Sequence, residues 1–153
     1  MRWSMPKGFI GLLMIAAMPA LCTIPPSKIT WRMLASTDFS EFYDSNRSMW
    51  SLEALYPDNI ATLNGKVIYI TGYVLPIDSK GELYALSAYP FSSCFFCGGA
   101  GPESVMGLEF TEKPGHIPTD AVKTFKGRLV LKPKPGEGFY FALVSVEPYD
   151  PNP

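Results

Sequence analysis

From residue 65 onward the chain is built of short apolar runs separated by turn residues, and the first of them carries no helix cap. Residues 66–77 (KVIYITGYVLPI) are rich in β-branched and aromatic side chains, which favour a pleated strand. Gly72 sits in the middle of that run, where a barrel strand bends or bulges. The turn at 78–81 (DSKG) leads into a second strand over 82–89 (ELYALSAY), so the two runs pair as a hairpin. Further strands are predicted over 105–110, 127–132 and 139–146, the last two joined by a Pro/Gly turn at 133–138. Between the third and fourth strands, Thr119-Asp120 resembles a cap for one helical turn over 121–125. Five strands with one short helical insert predict a mainly β fold, a small Greek-key barrel of the oligonucleotide/oligosaccharide-binding (OB) type.

The preceding segment is less regular. Apolar residues at Trp50, Leu52, Leu55, Ile60 and Leu63 are interrupted by Pro57, which predicts a short helical turn followed by a loop. Pro25-Pro26 reads as a linker, and Trp31 and Leu34 of ITWRML are too apolar to lie free in solvent, so this segment docks on the domain. The first residues, MRWSMPKGFIGLLMIAAMPALC, combine the positive Arg2 and Lys7, an apolar run over 8–18 and a small-residue exit at Pro19-Ala20. That is the pattern of an export signal, and the apolar run is short of the roughly 20 residues a membrane span needs. The expected organisation is a signal peptide or membrane anchor over 1–22, a linker and docked segment over 23–48, and a barrel over 49–150. The mature protein is expected in the periplasm, free or anchored to the membrane. Cys22, at the end of the apolar run, is a candidate lipidation site, although Leu21 stands where a small residue usually precedes such a cysteine.

Composition narrows the partners. The 153 residues are 47% hydrophobic and 18% charged, which fits one compact domain and excludes wholesale disorder. Net charge is −1; residues 1–22 hold two basic residues and no acid, so 11 basic residues then face 14 acidic ones, a balance of −3. There is no electrostatic footprint for nucleic acid and no polybasic stretch for an anionic membrane surface.

Chemistry concentrates in SSCFFCGGAGPESV, residues 92–105, where Cys94 and Cys97 form a C-x-x-C pair followed by Gly98, Gly99, Gly101 and Pro102, which shape the loop. Such spacing lets two thiolates converge on one ion while turn amides offset their charge. A closed zinc site needs four ligands and no second C-x-x-C exists. Glu103 and His116, the single histidine, are the candidates to extend the set, and Met106 is a further donor for a soft ion such as Cu(I). The site is therefore open or completed by a partner. A redox dithiol wants a helix N-terminus behind the motif, and glycines and a proline follow here instead. A structural Cys94–Cys97 disulfide is compatible with export and would fix the local turn. An anion-binding glycine nest is a further alternative. With one histidine and no G-x-S-x-G elbow, there is no signature of a hydrolase, and an enzyme is the less favoured class.

The segments ITWRML, LNGKVIYITGYVLPID, LSAYPFSSCFFCGGAGPESV and TFKGRLVL resemble an uncharacterised family of exported bacterial proteins of Bacteroidetes type, a domain of unknown function. The likeness runs from about Ile29 to Pro148. Distant proteobacterial relatives of that family carry Cys-x-His in place of the cysteine pair, followed by a proline run. Exchanging thiol for imidazole keeps a metal ligand and abolishes a disulfide, so the resemblance implies metal over a disulfide, with zinc or copper as the ion. It further implies an accessory role near an envelope transporter or another envelope protein. It reaches Cys94, Cys97, Gly98, Gly99, Gly101, Pro102 and Glu103 and does not reach His116. The resulting expectation is an accessory module that binds or carries a soft metal. The alternatives are an interaction module with a structural disulfide and, behind it, a thiol–disulfide oxidoreductase.

Overall fold

The structure is a computed structural model that describes Met1 and residues 25–152 apart from residues 79, 81 and 137. The expected export signal or anchor and Cys22 lie outside the described residues. Among the described residues, eight strands and two single-turn helices follow one another as β1 (Ser27–Lys28), α1 (Trp31–Leu34), β2 (Asp38–Asp44), β3 (Met49–Leu55), α2 (Asp58–Ala61), β4 (Val67–Pro76), β5 (Tyr84–Ser87), β6 (Val105–Phe110), β7 (Val122–Leu131) and β8 (Phe141–Pro148). Among the described residues no helix is long and apolar enough to cross a membrane.

Strand β4 alternates buried and outward residues, with Ile68, Ile70, Gly72 and Val74 facing in, as the two-residue period of a strand requires. Its pairing closes the barrel. The order is β4-β5-β6-β8-β7, and β7 returns to pair antiparallel with β4 from Val67↔Arg128 to Tyr73↔Val122. β6 and β8 run parallel and the other barrel pairs antiparallel, so a five-stranded OB-type Greek key results. Phe141, Leu129, Leu143, Ile68, Ile70 and Leu86 fill the interior.

Gly72 is where β4 passes from pairing with β7 alone to pairing with β5 as well. A Cβ there would meet the Ser87 carbonyl oxygen at 2.6 Å and Trp31 Cζ2 at 3.1 Å. This position of the strand thus needs glycine because another strand's backbone and a docked indole press on it. Trp31 belongs to the docked segment, whose α1 is capped by Thr30 Oγ1 accepting from Met33 N, and its Nε1 donates to the Thr71 carbonyl at 2.8 Å. Ile29 and Leu34 are buried beside it.

Two local expectations are corrected. Residues 122–125 are strand, since β7 starts at Val122 and continues the β4 ladder. One helical turn cannot compete with seven registered pairs. Thr119-Asp120 is a turn into that strand, with Asp120 at φ 63°. The short helical pieces instead lie between β5 and β6, as 3-10 turns at Phe91–Ser93, Phe95–Cys97 and Pro102–Ser104. Within residues 49–63, expected as a short helical turn followed by a loop, 49–55 form β3, paired with β2 over seven positions, and the helical turn is α2 at Asp58–Ala61. A hairpin therefore spans the expected boundary between the docked segment, ending at 48, and the barrel, beginning at 49. It is fastened to the barrel by Ala54 N donating to the Pro133 carbonyl at 2.9 Å and Tyr140 Oη to the Leu52 carbonyl at 3.0 Å.

Candidate functional site: the Cys94–Cys97 loop

The connection from β5 to β6 begins where Ala88 N donates to the Ser104 carbonyl at 2.9 Å, which closes the base of the loop. Within it, the chain makes three tight turns. Cys94 N and Ser93 N donate to the carbonyls of Phe91 and Pro90. Cys97 N and Gly99 N both donate to the Cys94 carbonyl, at 3.1 and 3.2 Å. These bonds wrap the backbone around Cys94 and place its side chain inside, fully buried, while Cys97 stays exposed.

Each expected loop-shaping residue has a geometric task. Gly98 ends the Phe95–Cys97 turn in the left-handed region, at φ 73°. A Cβ on Gly99 would lie 2.7 Å from the Ser93 carbonyl oxygen, so two stretches of backbone can touch there. Pro102 opens the last turn at its first position, where its missing N–H leaves no bond unmade. The Glu103 carboxylate folds back into the space that a side chain on Gly101 would fill.

Cys94 and Cys97 are free thiols. Cys97 Sγ donates to the Phe91 carbonyl oxygen at 3.2 Å. Partial desolvation and the neighbouring Cys94 sulfur, which interacts with it as a charge and a hydrogen-bond partner, push the Cys97 thiol above its ordinary pKa. A reactive thiolate needs the opposite shift. Directly behind the motif stands a left-handed glycine, where the disulfide-exchange cysteines with lowered pKa have a helix N-terminus.

The rest of the candidate ligand set does not gather around the pair. Among the described residues, no group of three or more His, Cys, Asp and Glu side chains converges as a metal site. His116 belongs to the loop after β6, at the other end of that strand from the cysteines, and lines a separate groove of about 910 Å³ with Phe110 and Phe125. Met106 is fully buried in the barrel core. Two thiols from one chain suit a two-coordinate soft ion and fall short of the four ligands of structural zinc.

Two features escaped the sequence reading. Tyr89, Phe91, Phe95 and Phe96 stand 38–49% exposed around the thiols, with Phe96 edge-on to Phe139 at a centroid distance of 6.0 Å. The sequence signal was present, four aromatic residues in eight positions of a turn-rich loop. The second is Asp120, whose Oδ1 accepts from Phe91 N at 2.7 Å across 29 residues. No local pattern announces a contact of that range.

No model of a protein family matches the chain, and no curated protein matches it. Among solved structures, it is similar to the crystal structure of a DUF3299 family protein from Pseudomonas aeruginosa PAO1. The two share 12% identity, the likeness covers 84% of this chain and 99% of that one, and the TM-score is 0.51. At that identity the likeness is one of fold.

Proposed function

We propose that the protein is an exported envelope module that binds a soft metal ion through Cys94 and Cys97 and hands it to, or shares it with, a partner protein. The observation that carries this reading is the pair itself: two free thiols three residues apart on one tightly turned loop, one buried and one open to solvent. Such a donor set fits Cu(I), which accepts two thiolates; zinc would need ligands from the partner. Binding would release the thiol protons, so affinity rises with pH. Glu103, folded over Gly101, lies within the same loop but outside any converging ligand group, and His116 is remote from it. The resemblance to exported Bacteroidetes-type proteins supports the envelope location, and an envelope transporter is the class of partner it points to.

A second reading is favoured by the exposed aromatic rim. Phe91, Phe95 and Phe96 would dock on an envelope protein while a Cys94–Cys97 disulfide locks the turn. Metal content and free thiols, measured on protein isolated from the periplasm, separate the two. Stoichiometric copper or zinc that disappears in Cys94→Ser supports the first. Metal-free protein with no free thiol, unchanged on reduction, removes it and leaves the second.

A further inference from the structure

Asp120 stands outside the cysteine loop, at the end of the connection from β6 to β7, yet it is wired to the thiols. Its Oδ1 accepts the Phe91 N–H at 2.7 Å, and the carbonyl of the same Phe91 accepts the Cys97 thiol at 3.2 Å. One residue therefore links a carboxylate on one loop to a sulfur on another. Asp120 also holds a left-handed backbone at φ 63°, and its N–H donates to the Val74 carbonyl of β4 at 3.0 Å. Aspartate tolerates that conformation better than most side chains, and the bond to β4 anchors the carboxylate to the barrel wall. The first 3-10 turn of the cysteine loop is consequently pinned at its first residue to the rigid part of the molecule.

We infer that Asp120 is a positioning residue for the Cys94–Cys97 pair, fixing Phe91 so that its carbonyl orients the Cys97 thiol. The inference rests on the pair being a binding site, but its geometry does not depend on which ion binds. Loosening Phe91 frees the Cys97 side chain to turn away from that carbonyl, which opens it to an electrophile and leaves the pair less prepared for an ion.

Two substitutions separate the hydrogen bond from the backbone conformation. Asp120→Asn keeps both the Oδ1 acceptor and the tolerance of positive φ. Asp120→Gly keeps the backbone freedom and removes the acceptor. Iodoacetamide alkylation of the full reduced chain, with Cys94 and Cys97 resolved by peptide mass mapping, is the readout. The expected result is that Cys97 reacts about threefold faster in Asp120→Gly, the scale of one partly exposed hydrogen bond. Cys94 should stay protected, and Asp120→Asn should restore the wild-type rate. A wild-type Cys97 rate in Asp120→Gly overturns the inference. So does an equal gain at Cys94, because Asp120 would then merely support the fold. A Cu(I) titration of the same proteins keeps the two ideas apart. Absence of Cu(I) binding in the wild type defeats the metal reading alone, whereas the alkylation result judges Asp120 by itself.

Discussion

Cys94 and Cys97 are chemically identical in the sequence and unlike in the fold. One is sealed in the loop by the bonds to its own carbonyl, and the other faces solvent beside the Phe91 oxygen. Replacing each by serine should separate these roles. Cys97→Ser alters stability by no more than about 0.5 kcal/mol, as exposed substitutions do, whereas Cys94→Ser buries a hydroxyl and costs roughly 1–3 kcal/mol. Urea midpoints at constant slope report both. The raised pKa of Cys97 sets its pH response: below that value it is a neutral thiol. Its alkylation rate should therefore climb only above the pH at which a free cysteine peptide reacts, and a rate plateau at neutral pH would contradict the geometry. The spacing of the pair was legible in the sequence, and so was the absence of a helix behind it. Which cysteine is buried was not, because that depends on backbone bonds within the loop and on contacts from residues some thirty positions away.

At the scale of elements, strand chemistry was read with most success where both faces are committed. Residues 66–77 and 105–110 match β4 and β6 closely, because their β-branched and aromatic residues leave little alternative. The failures share a cause. The first residues of β7, 122–125, and all of β3 take strand form from a ladder partner, β4 in one case and β2 in the other, and no local signal weighs a partner. Gly72 tests the closure of the barrel: Gly72→Ala sets a Cβ against backbone and should cost about 2–3 kcal/mol in a urea unfolding series. Tyr56 tests the clasp between the hairpin segment and the barrel, since its hydroxyl donates to the Tyr140 carbonyl at 2.7 Å. Burial raises its pKa to about 12, from 10.0 in the unfolded chain. Its contribution is thus complete below pH 10.0 and is lost as pH rises through about 12. With solvent screening at this half-buried site, the loss stays below roughly 2 kcal/mol. Tyr56→Phe should be less stable at neutral pH and show a shallower fall in stability across that alkaline window, measured by denaturant titration at each pH.

For the molecule as a whole, the OB-type barrel follows from the order of its strands, and a similar fold with 12% identity shows how little sequence that order requires. The barrel holds the cysteine loop between its second and third strands and projects an aromatic rim around it. A ligand count is a different kind of property, since it depends on which distant side chains converge. The sequence could only nominate Glu103, His116 and Met106, and the fold sends His116 to the far end of β6 and Met106 into the core. What remains is a dithiol, the donor set that the proposed two-coordinate soft ion would use. Titration of the reduced, full chain with Cu(I) against a competing chromogenic chelator tests that account most directly. The expected result is one tightly held ion per chain, with binding lost in both Cys94→Ser and Cys97→Ser. A reduced wild-type chain that leaves all the Cu(I) with the chelator, or a Cys97→Ser chain that still retains its ion, would contradict it.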